Sequence, residues 1–428
     1  MTLPANHPLR VQLNDEVHAR PPEPMAAPCR VSYIALTFDA ARRQECWNAV
    51  RDLALRYAAP LPWPGTNHYS ADLGPFRVKW ECHTEFLRYT FIAPGLGAGG
   101  EAGPFNEPAI NAVPVDWLAG LSGELMVAAH VALMQADADP VAFATAMFPD
   151  TVAVGSEVSG GAAAVFTDFR IKYDGFSRWL VLDHTMTPRQ GGRVVQRLLE
   201  IDTYRIMALL ALPVAQSLAP AIAEAEQEVA EITAAMVVAA DADEPVLLER
   251  ITRLAAAIDS RQALSLYRFS AAEAYDGLVN RRIAELREER LPTLQTLQEF
   301  TDRRLAPAMN TCRSTAARQE ELSRRVARAT QLLATRISVT RERQNQSLLD
   351  SMNRRVRLQL RLQSAVEGLS IAAVTYYIVG LVGYVAKGAE AYGVPVRPEL
   401  AMALAIPVVA GLMALGLRKT RKLLEHDE

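Results

Sequence analysis

Cysteine is scarce in this chain, and the positions of the few cysteines exclude two classes of protein. Four cysteines occur in 428 residues, and no two of them form a C-x-x-C pair. A zinc ribbon needs such pairs, and a disulfide-stapled secreted domain needs a denser set. We therefore expect reduced, mostly buried thiols at Cys29, Cys46, Cys82 and Cys312.

Fingerprints for phosphate or nucleic-acid binding are also missing. The glycine-rich stretch at 94–104 has no G-x-x-x-x-G-K-[ST] pattern, and no strong helix signal follows it directly, so we interpret it as a surface loop. The formal net charge is −3, and the arginines of the later segments match no nucleic-acid-binding module. The sequence therefore predicts no cofactor and no nucleic-acid partner.

Two long uncharged apolar segments lie close to the C-terminus. They occupy 368–386 and 400–417, and each has roughly the 17–25 residues that a helix needs to cross a bilayer. This pair predicts a transmembrane helical hairpin at 368–417, with a buried hairpin of a soluble protein as the alternative. The first residues contain no apolar h-region, so we expect no signal peptide that would export the part before the hairpin.

Basic residues at the outer ends of this pair predict its orientation. The connecting loop balances Lys387 and Arg397 against Glu390 and Glu399, whereas both outer flanks are strongly basic. By the positive-inside rule, we expect both termini in the cytoplasm and the bilayer as a partner. The same flanks could contact anionic lipid headgroups through Arg354, Arg355, Arg357, Arg361, Arg418, Lys419, Arg421 and Lys422.

Hydrophobic periodicity divides the rest of the chain into a sheet-forming part and a helical part. Strand-like runs such as CRVSYIALTF and SRWLVLDH alternate with helical runs up to 186, which predicts an α/β or α+β domain. After Thr187 the strand signal stops, and Thr187 with Pro188 is typical of a helix start. The predicted parts are an N-terminal polar arm at 1–27, a cytoplasmic α/β domain at 28–186, a helical bundle at 187–291, a long stalk helix at 292–367, the hairpin at 368–417 and a basic cytoplasmic tail at 418–428.

The stalk is expected to be a single helix that continues into the first apolar segment. No proline or glycine occurs from Ala308 up to Gly368, and apolar residues recur at spacings of three and four. An unbroken helix to Ala386 would be on the order of 120 Å long. Its narrow apolar stripe could pack on preceding helices of the same chain or, as we prefer, form a coiled coil between the subunits of a homo-oligomer.

A polar stretch in the N-terminal arm contains the first group of candidate site residues. Asn14, Asp15, Glu16, His18 and Arg20 could form a ligand clamp or an intersubunit latch. The structural alternative is a capped turn with a local Glu16–Arg20 ion pair.

The second group is Glu81, His83 and Glu85, the weak candidates for a metal site. On one strand these side chains would share a face, where they could bind a divalent metal or move a proton. A change in the parity of the apolar positions near Glu85 favours a turn instead. Alternating Arg77 and Lys79 also fit a solvated face with cross-strand ion pairs. Since no catalytic motif is present, the sequence does not predict an enzyme.

Two of these segments carry a family resemblance. HPLRVQLNDEVHARPPEP at 7–24 and FRVKWECHTEFLRYTF at 76–91 resemble the signature segments of the bacterial family called domain of unknown function 3422 (DUF3422), described as uncharacterised membrane-anchored proteins. The resemblance covers nearly the whole chain. It implies a multi-pass protein of the bacterial inner membrane and supplies no activity.

The order of the predicted parts is also similar to that of CorA-type divalent cation transporters. Those proteins are pentamers whose first spans line the pore, so the resemblance implies that some positions of the first span line a pore. The chain departs from the CorA pattern at 383–388, where the Gly-Met-Asn signature is expected and no asparagine occurs. We therefore favour a membrane-anchored homo-oligomeric scaffold or regulator, with CorA-like ion transport as the alternative. The candidate pore-lining residues, which could equally serve helix packing, are Thr375, Tyr376, Tyr377, Gly380, Gly383 and Tyr384.

Overall fold

The computed structural model describes residues 4, 6–11, 13–14, 21–101, 103–135, 139–149, 151–391, 393 and 395–424. Within them, an N-terminal mixed sheet is followed by long helices, as the sequence predicts. The strands are β1 Cys29–Thr37, β2 His68–Asp72, β3 Arg77–Cys82, β4 Phe86–Pro94, β5 Glu124–Gln135, β6 Val154–Val158, β7 Ala163–Thr167, β8 Ser177–Asp183 and β9 Glu289–Arg290. The α-helices are α1 Arg43–Arg56, α2 Val115–Ala119, α3 Pro140–Met147, α4 Pro188–Leu209, α5 Ala211–Val238, α6 Glu244–Leu286, α7 Leu297–Arg304, α8 Ala306–Ala391 and α9 Pro398–Leu424.

All nine described strands belong to one sheet with the order β2-β3-β4-β1-β5-β8-β7-β6-β9. Only the β5–β8 pair at its centre is parallel, and the other neighbours are antiparallel. The central strands are buried on both faces, which explains their continuous apolar runs.

Helices pack on both faces of the sheet. On one face, α4 contributes Val194, Leu198 and Ile201 to a core that also includes residues of α6 and the start of α8. On the other face, Val50 and Leu53 of α1 pack on the edge strands β2 to β4. At the edge of the sheet that begins with β2, the face under α1 is therefore buried, whereas Ser70 and Asp72 on the other face of β2 are exposed.

The start of α4 is fixed by local chemistry. Thr187 forms a capping box with Gln190, and Pro188 occupies the first turn. Because proline needs no backbone donor there and threonine supplies an acceptor, this sequence begins a helix efficiently. The helix start predicted from Thr187 and Pro188 is confirmed.

The helical part differs from the prediction at two places. Helix α8 runs without a break from Ala306 to Ala391 and includes the first apolar segment, as expected, but it is preceded by the separate short helix α7. The expectation that no strand follows Thr187 is wrong, since Glu289–Arg290 pairs with Ser156 and Glu157 at the sheet edge. A two-residue charged strand has no periodicity that a sequence could show.

The described chain forms two compact units. The first comprises 1–237 and 249–330, and the second comprises 238–248 and 331–428. Three helical segments are long and apolar enough to cross a membrane, namely Pro188–Val238, Leu297–Ala391 and Pro398–Gly416. Two of them include the predicted spans. The third, Pro188–Val238, includes α4, which packs on the sheet.

Candidate functional site

The edge strands of the sheet carry a polar face under α4. Along β3, Val78 and Trp80 point into the apolar core below α1, whereas Lys79 and Glu81 occupy the alternate positions. Lys79 lies opposite Thr90 of β4, and Glu81 lies opposite Arg88. A solvated face was one interpretation of this pattern, but α4 covers the face, and Lys79, Glu81 and Arg88 are all buried.

The buried side chains form a connected charge cluster, which we define as Lys79, Glu81, Arg88, Glu200 and Arg282. Arg88 Nε donates to Glu81 Oε2 at 2.6 Å, and Arg88 Nη2 donates to Glu200 Oε1 at 3.2 Å. Arg282 of α6 donates to the other oxygen of Glu200. Two strands, α4 and α6 are thus joined through alternating charges.

The charges in this cluster keep both carboxylates ionised. Burial raises the pKa of Glu81, but the adjacent Arg88 outweighs it and the net result is a pKa of about 2. The pKa of Glu200 is likewise lowered, because Arg88 and Arg282 outweigh its burial. Burial lowers the pKa of Lys79. The paired charges therefore link the strands to the helices, and neither carboxylate is suited to exchange protons near neutral pH.

The end of the N-terminal arm lies against this cluster. Lys79 Nζ donates to the Pro21 carbonyl at 2.9 Å, and Arg77 lies 3.6 Å from Glu23. Met25 N donates to the carbonyl of Pro188 at 2.8 Å. The two segments that carry the family resemblance are therefore in direct contact in the folded domain.

Glycine at the start of α4 permits this contact. A Cβ at Gly192 would lie 1.8 Å from the carbonyl oxygen of Glu23, and a Cβ at Gly191 would lie 2.5 Å from that of Met25. No side chain fits between helix and arm at these distances, so the arm backbone packs directly on the helix backbone.

Two adjoining spaces open beside the cluster. An inner cavity of about 20 Å³, enough for about one water molecule, is lined by residues that include Tyr33, Glu81 and Thr90. An outer groove of about 520 Å³ is lined by the arm, the Pro60–Trp63 loop and β2. Glu23 and Lys79 line both spaces.

The row of Glu81, His83 and Glu85 that a single strand would give does not form. Strand β3 ends at Cys82 and β4 begins at Phe86, so His83 and Glu85 lie in the intervening turn, as the parity change indicated. Glu85 accepts two hydrogen bonds from Arg268, at 2.8 and 3.2 Å, and the His83 ring stacks on Phe86. Among the residues that the structure describes, no three His, Cys, Asp or Glu side chains are placed to hold a metal.

Most of the predicted arm residues lie outside the described part of the chain. These are Asp15, Glu16, His18 and Arg20. Asn14 is described and exposed, next to a helical turn in which Leu13 N donates to the Leu9 carbonyl at 2.9 Å. The clamp or latch remains a prediction.

The candidate pore-lining residues lie on α8 near its contact with α9. Tyr376, Tyr377 and Tyr384 are exposed, and the Thr375 hydroxyl donates to the Ile371 carbonyl at 2.7 Å. Of the two glycines, Gly383 packs against Met402 of α9, whereas a Cβ at Gly380 would meet nothing within 4 Å. Gly383 therefore permits close packing within the hairpin, as a helix-contact glycine should.

A second buried polar pair was not anticipated from the sequence. Ser32 Oγ lies 3.0 Å from Nδ1 of His130, whose ring stacks on Phe176. Burial lowers the pKa of His130 to about 4, so the ring is neutral at pH 7. In the sequence, the one indication of this pair was a histidine within an apolar strand.

The four cysteines are free and buried as predicted, and burial raises the pKa of Cys29 to about 12.

Comparison with known proteins yields one match. A family model described as Protein of unknown function (DUF3422) matches residues 5–424. No curated protein and no solved structure matches the chain. The resemblance to CorA-type transporters therefore has no support.

Proposed function

We propose that this chain, which belongs to the DUF3422 family, is a membrane-anchored scaffold or regulator. In this proposal the hairpin of α8 and α9 spans the bacterial inner membrane and the sheet domain remains in the cytoplasm. The observation that carries the proposal is the uncovered apolar surface of α9.

Two apolar segments have the same mean hydropathy but differ in the fraction of their residues that is buried. Pro188–Val238 and Pro398–Gly416 both reach a mean hydropathy of 1.9. In the first, 28% of the most apolar window is buried, whereas in Pro398–Gly416 the figure is 0%. The most apolar window of Pro188–Val238 is therefore partly covered within the described chain, whereas no residue of the corresponding window of α9 is buried.

The exposed side chains of α9 make water an unfavourable environment. Leu404, Val408 and Leu412 are among the large apolar residues whose side chains are more than half exposed. Burial of one such side chain contributes about 1.5–3 kcal/mol, so a handful amounts to on the order of 10 kcal/mol. A lipid bilayer would supply this burial along the whole helix.

The basic flanks support an orientation with both ends in the cytoplasm. Arg354, Arg355 and Arg357 precede the first apolar segment on α8, and a second basic group follows the apolar part of α9. Translocation of either group would oppose the positive-inside rule. Both groups would then lie near anionic headgroups of the cytoplasmic leaflet.

An exposed apolar stripe on α8 supports a homo-oligomer. Leu348, Met352 and Val356 recur every four residues before the first span and are each more than half exposed. Parallel helices that enter the membrane side by side could cover such stripes reciprocally. The groove beside the charge cluster supports a binding role for the sheet domain.

Alkaline carbonate extraction and cysteine labelling of the full chain test the anchor and its orientation. The native cysteines are buried, so a new exposed cysteine gives a clear signal. We expect the protein to remain in the membrane fraction. An impermeant maleimide should label Ala389→Cys in intact spheroplasts and the matched Gln359→Cys only after permeabilisation. Release by carbonate would refute the anchor, and labelling of both sites from one side would refute the orientation.

Mass photometry of the full chain in nanodiscs tests the oligomer. We expect a multimer that Met352→Glu together with Val356→Glu dissociates, because two charges cannot be buried in the stripe. The matched control is Ser347→Glu with Asn353→Glu, which adds two charges at exposed positions of the same helix outside the stripe. A monomer in the unmodified protein would contradict the scaffold as we describe it.

A further inference from the structure

One oxygen of a buried carboxylate points to a missing hydrogen-bond donor. The Glu81 side chain is 2% exposed, and its Oε1 has no hydrogen-bond partner among the described residues. Lys79 Nζ lies 3.5 Å away, beyond the roughly 2.7–2.9 Å of a charge-assisted hydrogen bond. A buried oxygen left without a donor is unfavourable. Because Glu81 lines the inner cavity, a donor placed there would satisfy this oxygen.

The neighbouring lysine restricts the chemistry of that donor. Lys79 Nζ donates to the Pro21 carbonyl at 2.9 Å and to Gln196 Oε1 at 3.3 Å, so one of its three N–H groups is left. The cavity thus offers an acceptor and a donor at one point. A hydroxyl matches both, since its oxygen donates and accepts. Two carboxylates and two cations line the cavity, so their charges balance and a neutral group is favoured over a charged one. These side chains are Glu23, Glu81, Lys79 and Arg88.

The two adjoining spaces fit a group of this kind attached to a larger body. The inner cavity, about 20 Å³, admits a group the size of a water molecule, and the outer groove, about 520 Å³, is large enough for a small ring. The groove wall includes Trp63, which is 83% exposed, and the neutral hydroxyls of Thr66 and Ser70. Trp47 Nε1 donates to the Trp63 carbonyl at 3.1 Å and so fixes the loop that presents this aromatic ring.

We propose that the groove binds a neutral polyol or sugar. One ligand hydroxyl enters the inner cavity, donates to Glu81 Oε1 and accepts from Lys79 Nζ, while the apolar face of the ligand lies against Trp63. The site lies entirely within the first compact unit and does not depend on the membrane anchor. The ligand would then be the signal to which the cytoplasmic part of an anchored regulator responds.

Binding to the full chain in nanodiscs tests the site, with myo-inositol and D-glucose as probes. Saturation-transfer NMR should show saturable binding of at least one probe, with weaker binding of the charged analogues glucosamine and glucuronate. Trp63→Ala should weaken binding about tenfold, because it removes the exposed wall of the groove. The matched control Tyr173→Ala removes an aromatic ring that is 97% exposed and does not line the groove, and should leave binding unchanged.

Glu81→Gln tests the inner hydroxyl contact directly. Loss of a hydrogen bond to a charged group should weaken probe binding about tenfold or more, provided that circular dichroism shows a folded variant. Four results would overturn the proposal: unchanged affinity in a folded Glu81→Gln variant, no saturable binding of either probe, tighter binding of a charged analogue, or affinity that is unchanged by Trp63→Ala. The last two readouts remain decisive even where Glu81→Gln fails to fold.

Discussion

Replacement of Arg88 by methionine tests how strongly the buried charge cluster stabilises the sheet domain. Arg88 is the cation shared by Glu81 and Glu200, at 2.6 and 3.2 Å. Its removal leaves Glu81 with only Lys79, which lies 3.5 Å away, as a nearby cation. Loss of one partner from a buried ion pair typically costs about 3–5 kcal/mol. We expect Arg88→Met to lower the free energy of unfolding by this amount at pH 7.

The same variant should show a characteristic pH dependence. The pKa of Glu81 is lowered to about 2 by Arg88 against the effect of burial, from 4.5 in the unfolded chain. A lowered carboxylate pKa contributes stability that is present above pH 4.5 and is lost as pH falls towards 2, about 3 kcal/mol in total. By pH 4 the wild type has lost about 1 kcal/mol of this contribution, whereas Arg88→Met has none to lose. The difference between the two proteins should therefore shrink by at least about 1 kcal/mol between pH 7 and pH 4.

Urea unfolding followed by tryptophan fluorescence is a suitable assay, because all five tryptophans lie in the sheet domain. The matched control is Arg253→Met, which breaks a 2.7 Å ion pair with Glu249 whose side chains are 74% and 67% exposed. An exposed pair of this kind contributes less than about 1 kcal/mol. Equal costs for Arg88→Met and Arg253→Met, or a cost that does not change with pH, would refute the assignment of a stabilising role to the cluster.

Two further predictions concern the packing of the sheet domain. His130 has a pKa lowered by burial to about 4 from 6.5, so stability should fall by up to about 3 kcal/mol as pH falls from 6.5 to 4, and His130→Gln should flatten the stability profile in urea titrations across that range. An equally steep profile in the variant would contradict this. Gly192→Ala should destabilise the domain by about 1–3 kcal/mol in the same assay, because the new methyl group collides with the carbonyl of Glu23. The control Gly277→Ala meets nothing within 4 Å and should be neutral or stabilising by up to about 1 kcal/mol, so equal losses in both variants would exclude the collision as the cause.

Much of the secondary structure could be predicted because local patterns determine it. Strand-like runs in the sequence become β1, β3, β4, β5, β7 and β8, and Thr187 begins α4 with a capping box as its sequence indicates. The uninterrupted helix α8 follows from the absence of proline and glycine before Gly368. Strands β2, β6 and β9 were missed, because they are short and each depends on a neighbouring strand for its pairing.

The candidate site could be predicted only in part, because its partners are distant in sequence. From the sequence, Glu81 was a candidate site residue grouped with His83 and Glu85. Its actual partner is Arg88, which lies across a hairpin turn that the parity change had only suggested. Glu200 follows Glu81 by more than a hundred residues, and Arg282 comes later still. The one available signal was the position of Glu200 between the apolar residues Leu199 and Ile201 of α4. A sequence alone does not show which cation this carboxylate contacts.

Contact between the arm and the sheet explains how charged residues can be buried at a sheet edge. The polar face of β3 would be open to water if α4 were its only cover, because the groove reaches Lys79 from the side of the arm. The Pro21 carbonyl accepts a hydrogen bond from Lys79, Glu23 pairs with Arg77, and Met25 is buried in the main core. Residues 21–25 therefore shield the charge cluster while leaving the groove beside it. A ligand that reached Glu81 through this groove would contact both segments that carry the family resemblance, which makes the site a physically reasonable place for recognition.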